Sequence, residues 1–236
     1  TPFFSSIPFG MTSYEQDAWL RYGGGNELWR ELYEPFNLIP VRGGNSGVQM
    51  FGWFNKEINS LEDLQGLTMR IPSLGGEVFR RAGGVPVTMQ VSEVFTALQT
   101  GALDATEFVS PYNDLAAGYH TVAEYYYYPG WHEPGSTLET IFNKEKFESL
   151  PKDLQEILMA GTEIMNQLLL DELMARNNEA LRVLVEEHGV QLRKLPNDVL
   201  TELHRISEDV VLEMSSVDDQ TAKVYESWKN FRDNVI

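Results

Sequence analysis

The chain contains no cysteine. Disulfides, thiolate metal sites and cysteine nucleophiles are therefore excluded, although this leaves the compartment open. No apolar run approaches the roughly 20 residues needed to cross a bilayer. The opening, TPFFSSIPFG, has neither a basic start nor a long apolar core, so it does not read as a secretory signal. Basic residues are scarce, with 18 Lys and Arg against 35 Asp and Glu, for a formal net charge of −17. Nucleic acid and anionic membrane both demand a basic face that displaces counterions, so neither is an expected partner. A small anion stays possible, because one buried arginine sets its own local potential. Motifs of the H-x-x-x-H, G-x-S-x-G or phosphate-loop kind are also missing. GGGNE at Gly23–Glu27 has no strand before it and no Lys-Ser/Thr after it, and reads as a turn between helices.

What is present suits a globular α/β chain. Hydrophobic residues make up 42% and charged residues 22% of 236 positions, enough to bury a sizeable core. Helical spacing predicts helices over 13–22 and, capped by Asn26, over 27–35. Val48–Phe54 has the composition of a buried strand. Ser60-Leu61-Glu62-Asp63 is a capping-box variant opening a short helix that Gly66 ends. Beyond it, strands at 67–71, 85–87 and 103–109 alternate with helices at 76–82 and 93–100, which argues for a parallel, right-handed sheet. Tyr125–Trp131 and Leu138–Asn143 read as extended. A helical pattern then runs from Leu150-Pro151 to about His188, followed by helices opened by Pro196-Asn197 and Asp218-Asp219.

Within Gly66–Asn113 (GLTMRIPSLGGEVFRRAGGVPVTMQVSEVFTALQTGALDATEFVSPYN) two side chains carry chemistry. Arg70 ends an apolar strand just before a Pro and a Gly-Gly pair, where its planar fork suits a carboxylate. Glu107 ends the next strand but one and offers hard oxygens for a cation. In such sheets ligands bind beyond the carboxyl ends of strands.

These residues also carry a resemblance. MRIP, the GALDATEFVSPYND run and YYYYPGWHEPG resemble the extracytoplasmic solute-binding subunits of TRAP transporters, the DctP/TakP-like family. Thr106-Glu107-Phe108 inclines it toward the 2-oxoacid (α-keto acid) branch. The resemblance covers essentially the whole chain and implies a two-lobe, type II periplasmic-binding-protein-like α/β fold with a long lobe-spanning helix. The family's opening segment has no counterpart here, so the first lobe is expected to be incomplete. On this template residues 1–55 are the remainder of lobe one and a crossover strand, and 56–125 the α/β core of lobe two. Residues 126–150 are return crossover strands, 151–189 the bracing helix and 190–236 the C-terminal helices.

The resemblance further implies a role for each site residue. Arg70 takes the ligand carboxylate. Gln49, Glu107, the main-chain carbonyl of Phe108 and Glu133 hold a sodium or calcium ion bridging to the substrate. Phe9 walls the pocket, Asn113 bonds a keto or hydroxyl oxygen, and Tyr112 is a weaker candidate. Of the four histidines, His132 is placed beside the metal or, more simply, on the surface. The implied function is extracytoplasmic (periplasmic) capture of a small monocarboxylate, such as pyruvate, another 2-oxoacid or lactate, for membrane permease subunits. The last helix, with Tyr225, Trp228 and Phe231, is a candidate for docking on a second copy. The competing reading is a metal-assisted enzyme using Glu107 as base, which would need a titratable acid–base pair converging on substrate.

Overall fold

The computed structural model describes residues 1–235. In chain order the elements are α1 (Ser13–Tyr22), α2 (Gly25–Tyr33), β1 (Leu38–Asn45), β2 (Gly52–Phe54), β3 (Thr68–Arg70), α3 (Ser73–Arg81), β4 (Val85–Val87) and α4 (Val91–Thr100). There follow β5 (Ala105–Thr106), α5 (Pro111–Ala117), β6 (Tyr125–Tyr128), β7 (Thr137–Asn143), α6 (Lys144–Glu148), α7 (Lys152–Glu186), β8 (Gln191–Lys194), α8 (Asn197–Ser215) and α9 (Asp219–Val235).

Local chemistry explains most of the boundaries. Thr12 and Glu15 form a capping box on α1, with Thr12 N–H donating to Glu15 Oε2 at 2.7 Å. Asp63 closes the expected box with Ser60, but the turn it starts, Leu61–Leu64, is a 3-10 helix. The expected Asn26 cap is wrong by two residues: Gly24, at φ +86°, turns the chain and α2 starts at Gly25. Two predicted strands shrink, 48–54 to Gly52–Phe54 and 103–109 to Ala105–Thr106, because the residues around them leave the ladder to form loops.

Six strands form one sheet in the order β4-β3-β5-β2-β6-β8, and β1 pairs with β7 in a separate two-stranded sheet. The fully parallel sheet expected from the strand–helix alternation is corrected. β3 is parallel to β4 and β5, and β6 to β8, but β2 runs antiparallel to both β5 and β6. Because β2 enters from β1 rather than through a crossover helix, the right-handed crossover rule does not set its direction.

Alternation along β2 and β6 divides the core. Phe54 and Tyr127 face a larger cluster with Phe51, Met69, Phe79 and Trp131, whereas Trp53 and Tyr126 face a smaller one with Val94, Leu98 and Leu184. The long helix is present as expected and, at 35 residues, rises roughly 50 Å. Its first half buries polar residues, Gln155, Thr162 and Asn166, and its second half Leu170, Leu173, Ala180 and Leu184. Asn166 Nδ2 donates to Asp17 Oδ2 on α1 at 2.8 Å, and Asn177 Oδ1 accepts from Tyr112 N–H on α5 at 3.0 Å. No helix among the described residues is long and apolar enough to cross a membrane.

The aromatics of α9 pack within the chain. Trp228 and Tyr225 lie against Phe3, and Trp228 Nε1 donates to Gln16 Oε1 at 3.3 Å.

Candidate ligand-binding site

Arg70 ends β3 and Glu107 directly follows β5. The two strands are parallel neighbours, Arg70 opposite Thr106, and Glu107 N–H donates to the Arg70 carbonyl at 3.0 Å. Both side chains therefore emerge at the carboxyl edge of the sheet, and they form an ion pair between Arg70 Nη1 and Glu107 Oε1. Glu107 is 2% exposed and Arg70 18%. Among the described residues Glu107 is the sole hydrogen-bond acceptor recorded for this guanidinium, which has five N–H donors to offer.

Antiparallel β2 brings Gln49 to the same place. Trp53 lies opposite Thr106, and the pairing continues as Met50 N–H donates to the Val109 carbonyl at 3.1 Å. Gly52 makes this approach possible. Its φ is +136°, and a Cβ there would stand 2.1 Å from the Thr106 oxygen and 2.9 Å from Glu107 Cα. Gly130 does the same from the loop after β6. Its N–H donates to the Gln49 carbonyl at 3.0 Å, and a Cβ would come within 2.1 Å of that oxygen. The loop then delivers Glu133, whose Oε2 accepts from Gln49 Nε2 at 2.7 Å and from Ser136 Oγ.

Two features of this cluster are chemically informative. Gln49 Oε1 is buried with no hydrogen-bond partner, a costly state for a strong acceptor and a natural one for a ligand to a hard cation. Burial also pushes the Glu133 carboxyl above its usual range. His132 and the Ser136 hydrogen bond pull it back, Glu107 pushes it up again, and Arg70 lowers it. One field thus links Glu133 to His132, Glu107 and Arg70.

The expected site residues divide accordingly. Arg70, Glu107, Gln49 and Glu133 converge, with Phe108 between Glu107 and Val109 and its ring edge-on to Tyr119 at 5.5 Å. Phe9 is stacked on Trp131 at 5.6 Å and edge-on to His204 of α8 at 5.0 Å, so its ring lies in a groove with Val211 and Tyr225. Asn113 accepts from Ser110 Oγ at 3.3 Å in the first turn of α5, and Tyr112 is exposed under Arg176. The surface placement of His132 is corrected. It is 2% exposed, with Nε2 3.6 Å from Glu107 Oε2 and both ring nitrogens unpartnered. Its position between Trp131 and Glu133 was the available signal, and Ser136 had none.

No three His, Asp or Glu side chains among the described residues close on a common point. A cation here would need what the set supplies: the carboxylates of Glu107 and Glu133, the orphaned amide oxygen of Gln49 and a main-chain carbonyl. All are hard oxygen donors and fit sodium or calcium.

A family model for bacterial extracellular solute-binding proteins, family 7 (DctP), matches residues 3–217. The chain belongs to that family. It is 42% identical over 234 residues to a monocarboxylate 2-oxoacid-binding periplasmic protein from Nostoc, a match covering 99% of this chain and 64% of that protein. This family-7 chain thus spans less than two thirds of that relative's length. Among solved structures it resembles a TRAP periplasmic solute-binding protein from Colwellia psychrerythraea with bound calcium and pyruvate, at TM-score 0.93, 39% identity, and 99% and 71% coverage of the two chains. It also resembles one from Pseudoalteromonas atlantica with bound sodium and pyruvate, at TM-score 0.92, 40% identity, and the same coverage. The two-lobe α/β architecture with its long helix is the one these proteins share.

Proposed function

We propose that this chain is the solute-binding receptor of a TRAP-type transporter, taking a small monocarboxylate together with a sodium or calcium ion. A 2-oxoacid such as pyruvate fits best and lactate is the close alternative. The observation that carries the reading is the juxtaposition of an arginine clamp, Arg70, with an oxygen set in which Gln49 Oε1 has no partner. Bound pyruvate in relatives at 39% and 40% identity supports the same ligand class here. The periplasmic naming of a relative supports an extracytoplasmic location and handover to membrane permease subunits. The family is one of receptors, and we take the catalytic alternative no further.

The ion pair explains how the two ligands would cooperate. Arg70 and Glu107 neutralise each other in their ion pair. A cation supplies positive charge for Glu107, Glu133 and Gln49 Oε1 and a contact for a ligand oxygen. Glu107 then no longer needs Arg70, whose fork turns to the carboxylate. Each ligand takes one member of an existing pair, so each lowers the cost of binding the other. Specificity for a 2-substituted acid follows, because the carboxylate and the neighbouring oxygen are held together. Closure would bring lobe two, residues 56–125, against the remainder of lobe one about the crossover segments near 46–52 and 129–137. Exchange of α9 between two copies, remaking its aromatic contacts in trans, would give a homodimer, which light scattering tests directly.

The deciding experiment is thermal unfolding after chelation, then with pyruvate, with calcium, and with both. Native-state binding raises stability by about 2.7 kcal/mol at about a hundredfold excess over Kd. We expect the joint shift to exceed the sum of the separate ones, with Arg70→Ala abolishing the acid's part. Lactate and sodium in place of pyruvate and calcium rank the ligands. A cooperative melt unmoved by every combination would sink the proposal.

A further inference from the structure

Asp114 takes no part in the site described so far, yet its carboxylate is fully buried and ties together the segments that build it. Its Oδ2 accepts from Trp53 Nε1 at 3.0 Å and from Tyr126 OH at 2.7 Å. Its Oδ1 accepts from Val109 N–H at 3.1 Å. Trp53 belongs to β2, downstream of Gln49, and Tyr126 to β6, upstream of Glu133. The two rings are cross-strand partners stacked at 4.1 Å.

The Val109 bond matters most. The Phe108 carbonyl and the Val109 N–H belong to one peptide unit, and the only cis bond among the described residues is Tyr128–Pro129. In a trans peptide the two groups point in opposite directions across a rigid plane. Holding Val109 N–H on a buried carboxylate therefore fixes where the Phe108 carbonyl oxygen points. The same residue is held on its other side, where the Val109 carbonyl accepts from Met50 N–H at 3.1 Å.

We propose that Asp114 is a positioning residue that aims the Phe108 carbonyl into the cation site by anchoring Val109 N–H. The inference rests on the receptor reading for its consequence, but the anchoring itself does not. Asp114→Asn is the selective variant. Its single oxygen satisfies the two ring donors, and its amide group then confronts Val109 N–H, donor against donor. Tyr126→Phe is the control, since it removes one ring donor and keeps the Val109 bond.

The experiment pairs calcium titration, with and without pyruvate, with residue-resolved hydrogen exchange. In wild type, Val109 N–H is expected to exchange as slowly as Phe51 N–H, which is bonded to the Tyr127 carbonyl at 2.9 Å. In Asp114→Asn it should exchange at least tenfold faster than Phe51, and calcium should bind at least tenfold more weakly. Tyr126→Phe should keep calcium affinity within twofold even if its melting temperature falls. Rapid exchange of Val109 in wild type overturns the proposal, and that measurement holds even if Asp114→Asn fails to fold. So does wild-type calcium affinity in a folded Asp114→Asn, or a tenfold loss in Tyr126→Phe, which would make general packing the cause. If wild type binds neither calcium nor pyruvate, the receptor reading fails, and the exchange data still decide whether Asp114 anchors the peptide.

Discussion

Two arginines of this chain are paired with acids inside the fold, and they do opposite things. Arg42, on β1, is 2% exposed and faces two carboxylates from different helices, Asp17 of α1 at 3.3 Å and Glu163 of α7. Arg21 of α1 shares Glu163, and Asn166 of α7 bonds Asp17. Arg70 has one acid, Glu107, and keeps part of its guanidinium toward solvent. A cation held by several anchored acids is a tie between elements. One with a single acid and part of its fork toward solvent is able to change partners. Burial of an arginine says nothing of function until its acids are counted.

The comparison is broken most severely at the arginines themselves. Arg42→Ala should cost about 3 kcal/mol in urea unfolding, because it removes the buried guanidinium that joins β1 to acids on α1 and α7, and it should leave pyruvate affinity unchanged in the folded protein. Arg70→Ala leaves Glu107, 2% exposed, without its cation and should cost a comparable amount, about 3 kcal/mol, in metal-free protein. It should also bind calcium alone more tightly than wild type, since the competing guanidinium is gone. Calorimetry showing weaker calcium binding would contradict partner exchange.

A third effect separates the sites by pH. Burial pushes the Asp114 carboxyl up to about 7, against the hydrogen bonds from Tyr126, Trp53 and Val109, and raises Glu133 as well. Both groups hold protons in the folded state that the unfolded chain has released. The Asp114 contribution is full below the unfolded carboxylate range and is lost as pH rises through about 7, and that of Glu133 is lost in the same direction. Melting temperature should therefore fall between about pH 4 and about pH 7, the ordinary and the raised values, and Asp114→Asn should flatten the fall. The smallest effect lies on the surface. Arg80 and Arg81 hold Glu77 down to about 2, so its contribution is present above the usual carboxylate range and lost as pH falls toward that value. Glu77→Ala should cost less than about 1 kcal/mol in a salt-dependent way.

How much of this was legible depended on range. Arg70 and Glu107 could be placed at strand ends because short apolar runs are local signals, while their roles came mainly through the family resemblance. The contact from Gln49 to Glu133 spans 84 residues and was reachable only through the family resemblance. The tie at Arg42 was not legible, since nothing in VRGG announces acids contributed by two helices. β8 was missed because Gln191, Arg193 and Lys194 lack strand composition, and only pairing with β6 makes them extended. The direction of β2 was misjudged because periodicity reports which faces are buried, never which way a strand runs. His132 was misplaced because imidazoles serve the surface and the interior equally well.

The long helix has one more implication. Two of its side-chain grips, Asn166 on α1 and Asn177 on α5, are 11 residues apart. That separation is about 16 Å of axial rise, fixed by the hydrogen-bond ladder between them. The helix therefore acts as a spacer bar of set length. The parts of the molecule at either grip cannot slide toward or away from each other along it while it stays intact.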